Sequence, residues 1–420
     1  MKLLVIYQYY KDQASPGHSL IYELTQYLAE QGHDVTVVSG ETGYMQATQS
    51  GLPWYRRLVR VERVGAVRVI RTVTYSKMDR GYLGRVLSFI SFTLSCPLGI
   101  LRAGPVDVAL ASSPPILPVF VAWLVCRLKR TPFVLEVRDL WPASAVQMGI
   151  LKSRLLIALM AWMERTLYNK SSRIIALTEG IRTDICSRGW SEEKVELVTC
   201  GVDFDHLYPD STTREVTRNS LDWSGKTVVL YFGALGEANN IPVILRTAKR
   251  LEQQSDILFV LVGNGIKRRA TELWLNETRI TNVQMLPAVP KTSAREYICA
   301  ADICLATLLD IPLFDGAIPT KLIDYMACAQ PVLCGIRGEA QRIVEDSGAG
   351  HTFEPDSDEE LAVRVLEMRG DVEGRRAMGE RGLAYVQERF SADDMRQQSE
   401  ALLLAVSGLS SNKIPNGTHR

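Results

Sequence analysis

Short apolar runs of strand length alternate with amphipathic helical segments along nearly the whole chain, and the series begins again after Pro209. Strands separated by helices pair in parallel, with the crossover helices covering both faces of the sheet. The expected strands are Leu3–Tyr7, Val35–Val38, Val67–Arg71, Val106–Ala111, Phe133–Val137, Ile174–Leu177 and Val195–Val198. Beyond a joint near residues 202–212 come Thr227–Phe232, Ile257–Val262, Val283–Leu286, Ile303–Leu305 and Val332–Gly335. Between the first two strands, Leu20, Ile21, Leu24, Tyr27 and Leu28 fall on one helical face, and Gly32 closes that helix. Helices are likewise expected over Ile241–Gln253 and Lys267–Leu275. The implied architecture is α/β, with two doubly wound domains in tandem and a ligand between their strand C-termini. A length of 420 residues, 46% of them hydrophobic, suits two full cores.

A dinucleotide reading can be tested on the glycines that follow strands. Gly233-Ala234-Leu235-Gly236 and Gly263-Asn264-Gly265-Ile266-Lys267-Arg268 both do so, but neither completes G-x-G-x-x-G. The eight cysteines form no C-x-x-C pair, so they read as small core residues of a reducing compartment. Met1-Lys2-Leu3-Leu4-Val5-Ile6-Tyr7 lacks a small-residue cleavage site and is expected to be a buried first strand in a cytoplasmic protein.

Charge is unevenly distributed. Residues 1–200 hold 24 Lys and Arg against 16 Asp and Glu, whereas residues 201–420 hold 24 against 31. Arg56, Arg57, Arg60, Arg63, Arg68 and Arg71 crowd one stretch, and the uncharged run Val86–Leu101 follows Arg85 and contains Pro97. Sixteen residues are fewer than the roughly 20 that span a bilayer. Region 54–102 therefore reads either as a segment lying on an anionic leaflet or as a core helix with solvated flanking arginines. Without aromatic interleaving or nucleic-acid motif spacing, nucleic acid is not an expected partner.

The stretch Pro319-Thr320-Lys321-Leu322-Ile323-Asp324-Tyr325-Met326-Ala327 carries the most chemistry. A proline opens a helix there, with Lys321 and Asp324 three residues apart in its first turns. N–H groups and a lysine at a helix start can hold phosphate, and a carboxylate one turn on can accept from ribose hydroxyls. The competing reading is an ordinary Lys/Asp pair on a surface helix.

In this order along the chain, several segments resemble family 4 retaining glycosyltransferases of GT-B fold, closest to the branch that builds bacterial surface polysaccharides. The matching pieces are Gly17-His18, Glu136-Val137-Arg138-Asp139-Leu140-Trp141-Pro142, Ala176-Leu177-Thr178-Glu179-Gly180, Gly201-Val202-Asp203, Gly263-Asn264-Gly265 and the Pro319–Ala327 stretch, within a likeness running from residue 1 to about 406. The resemblance implies an acceptor-binding domain over 1–205 facing a nucleotide-sugar domain over 206–390 across a cleft. It also implies a terminal helix over 391–406 crossing back to the first domain, while the polar tail 407–420 reads as disordered.

The resemblance also implies a set of roles. Lys321 neutralises the departing diphosphate, helped by Lys267 or Arg268, and Asp324 holds ribose. Gly263, Gly265 and the Pro287-Ala288-Val289 segment face the base; Asp315, Gly316, Ala317 and Ile318 present N–H groups and a carboxylate to the sugar. Gly17 lets its loop approach the diphosphate. Asp139 stands at the reacting centre, against the alternative that it caps the helix beyond. The chain departs from its relatives at Arg138, where many have histidine, and at Gly316, where a glutamate would stand. It also has no base in the loop Gly233–Asn240, which makes Lys321 a larger share of phosphate binding.

Asp203-Phe204-Asp205 is a D-x-D, which in another architecture holds a divalent metal; here, in the joint, it reads as a turn and cap. No metal or other cofactor is expected. The implied activity is sugar transfer from a nucleotide diphosphate sugar to a lipid-linked saccharide, at the inner face of the plasma membrane and with retention. The alternatives are transfer to a soluble natural product, or a nucleotide-sugar epimerase or non-catalytic sugar-nucleotide binding protein.

Overall fold

The computed structural model describes residues 1–12, 15, 20–41, 58–75 and 81–409. Arg56, Arg57, Gly17 and residues 410–420 lie outside the described residues. The chain divides into two compact units, one formed by residues up to Thr199 together with Asp393 onward, the other essentially Cys200–Ala392.

In the first unit, eight strands form one sheet: β1 (Lys2–Ile6), β2 (Asp34–Gly40), β3 (Val59–Val64), β4 (Val67–Thr72), β5 (Val108–Ser113), β6 (Phe133–Val137), β7 (Arg173–Ala176) and β8 (Val195–Leu197). Their order is β3-β4-β2-β1-β5-β6-β7-β8, so successive crossovers leave β1 in opposite directions and make its boundary with β5 the switch point. β1 pairs in parallel on both sides, Leu3–Ile6 standing opposite Val35–Val38 and Val108–Ala111. Leu3, Leu4 and Val5 are fully buried, as befits a strand covered on both faces.

The pair β3/β4 is the exception, an antiparallel hairpin turning at Gly65-Ala66. The arginine-rich stretch thus contains an edge strand that the sequence analysis did not expect. Charged side chains on such an edge discourage further pairing. Arg71 is buried and donates to the Tyr10 and Gly40 carbonyls, the Ser39 hydroxyl and Glu62, so its charge serves the fold and not the surface.

Pro97 does not interrupt the uncharged run. It sits inside an unbroken 22-residue helix, Gly81–Arg102.

In the second unit, β9 (Thr227–Phe232), β10 (Ile257–Val262), β11 (Val283–Leu286), β12 (Ile303–Thr307), β13 (Val332–Gly335) and β14 (Gly350–Thr352) form a parallel sheet ordered β11-β10-β9-β12-β13-β14. Its switch point lies between β9 and β12. Val229, Tyr231, Phe259, Leu261, Leu305 and Leu333 anchor the core.

The crossings between units run beside each other. Val202 donates to Phe390 O and Ala392 donates back to Val202 O. Beyond them the helix Ala392–Ser407 packs Met395, Leu402 and Leu403 into the core of the first unit beside Leu3 and Val35, and Glu400 accepts from Tyr27 and pairs with His33.

Candidate functional site

At the β9/β12 switch point, the helix Thr320–Ala327 docks on the carboxyl end of β9 through two side chains one turn apart. The Tyr325 hydroxyl accepts from Phe232 N at 2.8 Å and donates to its carbonyl at 3.2 Å, pinning the strand end. Lys321 reaches over the same end. Its Nζ donates to the Tyr231 hydroxyl at 2.5 Å and to Asn239 Oδ1 at 3.2 Å, and lies 3.9 Å from the Tyr231 ring centroid. Gly233 permits this path: a Cβ there would stand 3.3 Å from Lys321 Cε, on a backbone whose φ of +144° already disfavours side chains.

Three other cations of the second unit, Lys267, Arg268 and Arg337, are matched by carboxylates. Lys267 pairs with Glu237 at 2.6 Å, and Arg337 with Asp310 and Glu354. Arg268 pairs with Glu272 and donates to the carbonyls of Gly263 and Leu286, bracing the ends of β10 and β11. Lys321 is held by neutral oxygens instead, and its ammonium goes to Tyr231 and Asn239 rather than to Asp324. Burial without a compensating carboxylate lowers its pKa from 10.5 to about 7.

That shift fixes a sign. Between pH 7 and 10.5 the unfolded chain carries a proton at Lys321 that the folded chain lacks, so this group makes stability rise with pH across the window. An oxyanion needs the ammonium, so its binding recruits that proton. Titration calorimetry of pyrophosphate at about pH 8 in buffers of different ionisation enthalpy should show uptake approaching one proton, and Lys321→Met should abolish it. Heats independent of buffer would contradict this arrangement.

Gly263 and Gly265 have a prior structural duty. A Cβ on Gly263 would stand 1.8 Å from Gly233 O, and one on Gly265 would stand 2.3 Å from Leu235 O. The loops after β9 and β10 therefore interlock, with Leu235 donating to Asn264 O and Lys267 donating to Leu235 O.

Asp315 and Gly316 end the 3-10 turn Pro312–Gly316, whose Asp315 carbonyl lies against Gly338. Ala317 donates its N–H to Phe314 O, which removes one of the outward-facing N–H groups expected of this loop. Ile318 is buried, and Asp324 is half-buried one turn beyond Lys321. The structure thus brings Gly263, Gly265, Lys267 and Lys321 to the carboxyl ends of the central strands of the second unit, with Ala317 just ahead of the helix that carries Lys321 and Asp324 one turn along it. Tyr231, Asn239 and Tyr325 belong with them, although no role could be read for any of the three from sequence alone.

Asp139 belongs to the first unit, just past β6. Its Oδ2 accepts from the Ser144 hydroxyl at 3.0 Å, and burial raises its pKa. Beside it, Arg138 pairs with Glu136 at 2.7 Å and lies over the Tyr7 ring. In the joint, Asp203 accepts from Asp205 N and contacts His206 Nδ1. Among the described residues no group of three His, Cys, Asp or Glu side chains converges as metal ligands would.

Residues 18–201 match the family model described as a glycosyl transferase 4-like domain, and residues 213–384 match that of glycosyl transferases group 1. The probable glycosyltransferase WbjE of Pseudomonas aeruginosa is 24% identical over 70% of this chain and 74% of its own length. The putative colanic acid biosynthesis glycosyl transferase WcaI of Escherichia coli K12 is 23% identical over 78% and 81%. Among solved structures, HepE of Anabaena in complex with UDP and glucose superposes with a TM-score of 0.71 at 17% identity, covering 96% of this chain and all of that one.

Proposed function

The chain belongs to the family 4 glycosyltransferases of GT-B fold, and on that premise we propose that it moves a sugar from a nucleotide diphosphate donor to a hydroxyl of a lipid-linked saccharide in surface polysaccharide assembly, with retention at the anomeric carbon. The observation that carries the proposal is the Lys321 side chain at the switch point of the second unit, whose Nζ partners among the described residues are the neutral oxygens of Tyr231 and Asn239. An arriving diphosphate supplies the missing anion. As the bond between the anomeric carbon and the diphosphate oxygen breaks, charge grows on the leaving group, and a preorganised cation stabilises that charge more than it stabilises the ground state.

In this reading Asp324 accepts from the ribose, the Gly263 and Gly265 loop lies beside the base, and Asp315–Ile318 flank the sugar. Lys267, neutralised by Glu237, adds less than Lys321. The family resemblance gives Gly17 a role toward the diphosphate and Asp139 a role in the reaction. No metal is required, because Lys321 and the first-turn N–H groups of its helix meet the developing charge. The relatives support this choice, since WcaI is a putative colanic acid biosynthesis glycosyl transferase and HepE forms a complex with UDP and glucose. The proposed setting is the cytoplasmic face of the plasma membrane.

The test is nucleotide release from a panel of nucleotide sugars, chosen by the thermal stabilisation that binding produces, with and without a lipid-linked acceptor. Acceptor-dependent release supports transfer; turnover of the sugar without acceptor points to epimerisation. Asp324→Asn should raise donor KM by about tenfold with little change in kcat. An unchanged KM would remove Asp324 from the donor site.

A further inference from the structure

The helix Gly81–Arg102 is built inside out. Its buried side carries small residues that bond to the sheet: Ser88 accepts from Gln8, and Ser95 donates to Thr72 and to Val73 O. A Cβ on Gly99 would lie 2.7 Å from Val38, so the helix is seated closely on β2. Phe92 and Ile100 are buried with these small residues, but every leucine of the helix points away. Leu83, Leu87, Ile90, Leu94, Leu98 and Leu101 recur every three or four residues along the outer stripe, with Leu83 72% and Leu94 74% exposed. A helix whose only task is to close a core has the opposite arrangement.

The helix Ile116–Leu128 packs between this helix and Arg154–Lys170, touching the latter through Phe120 and Trp162. Both continue the apolar surface: Leu124, Leu128, Leu155, Leu156, Leu159 and Trp162 are exposed, Leu128 and Leu155 by 78% and 79%. The stripe on the first helix alone is about 25 Å long at 1.5 Å per residue, and exposed apolar side chains gathered on neighbouring helices mark an interaction surface. Its charges have one sign. The three helices contain a single acidic residue, Glu164, which is buried and paired with Arg188, while Arg102, Arg127, Arg130, Lys152, Arg154 and Arg165 are exposed around them.

We propose that the outer face of the helices Gly81–Arg102, Ile116–Leu128 and Arg154–Lys170 lies on an anionic lipid bilayer, with the leucines and Trp162 at the acyl boundary and the cations among the headgroups. Apolar area and a basic rim together are what such a surface attracts. A second copy docking isologously would set one basic rim against another. The helix Leu83–Arg102 is long and apolar enough to cross a membrane, with mean hydropathy 1.5, but 39% of it is buried on the sheet, and crossing would break the serine contacts above. It therefore lies on the surface. This corrects the weight placed on the arginines of region 54–102: Arg71 is internal, Arg60 pairs with Glu62, and the contact comes from helices reaching to Lys170.

The inference gives the proposed lipid-linked acceptor its location, but it rests on separate evidence. Flotation of the full chain with phosphatidylcholine vesicles, with and without phosphatidylglycerol, uses no saccharide. Binding should require the anionic lipid and weaken with salt, and Leu94→Glu combined with Leu98→Glu should reduce it at least about tenfold while leaving the melting temperature and pyrophosphate binding unchanged. Failure to float on any vesicle, flotation of the double variant equal to that of the parent, or a dimer that the double variant splits would each overturn the proposal. Flotation without transfer to a lipid-linked acceptor would leave this surface standing and sink the acceptor assignment; transfer without flotation would do the reverse.

Discussion

Replacing Lys321 with alanine should lower kcat/KM by roughly 30- to 1,000-fold, a loss of about 2–4 kcal/mol of transition-state stabilisation typical of removing one preorganised donor. The geometry explains why no neighbour compensates. Lys267 is tied to Glu237, Arg268 to Glu272 and to the strand-end carbonyls, and Arg337 to Asp310 and Glu354. The fold should survive the substitution, because Tyr325 holds the helix to Phe232 independently. Much of the loss should appear in kcat, since the diphosphate gains charge as it departs. Steady-state kinetics with saturating acceptor would decide the matter, and activity within tenfold of the parent would remove Lys321 from the reaction.

Truncation before Ser391 should unfold the first unit. The lost helix buries Met395, Leu402 and Leu403 in the core that also holds Leu3, Val5 and Val35, and it removes the Glu400 partner of Tyr27 and His33. At about 1.5–3 kcal/mol for each buried side chain, three of them amount to roughly 5–9 kcal/mol, comparable to the whole stability of a domain. The single change Leu403→Ala should cost about 2–5 kcal/mol and lower the melting temperature without altering donor binding in the other unit. Calorimetry and limited proteolysis would report both effects. A truncated chain with the parent's melting temperature and full activity would show that the helix is dispensable.

The doubled α/β plan and the elements that carry it were already written in the apolar pattern of the chain. Phe133–Val137, Thr227–Phe232, Ile257–Val262, Val283–Leu286 and Val332–Gly335 have the boundaries expected from their apolar runs. Such patterns are local, because a fully buried parallel strand must be apolar on both faces and its crossover helix must be amphipathic. The Lys321 motif was legible for the same reason, being contained in one helical turn. Three features were decided only in three dimensions. The edge strand Val59–Val64 alternates valine with charge only as far as Glu62, and so short a pattern becomes a strand only when β4 stands beside it. The leucines of Gly81–Arg102 have a spacing that fits burial as well as exposure, and the serine partners Gln8, just past β1, and Thr72, on β4, chose which side faces outward. The state of Lys321 depends on Tyr231 and Asn239, some eighty to ninety residues earlier. A side chain's charge and partners are set by what the fold brings to its tip, and sequence periodicity reports only which way its Cα faces.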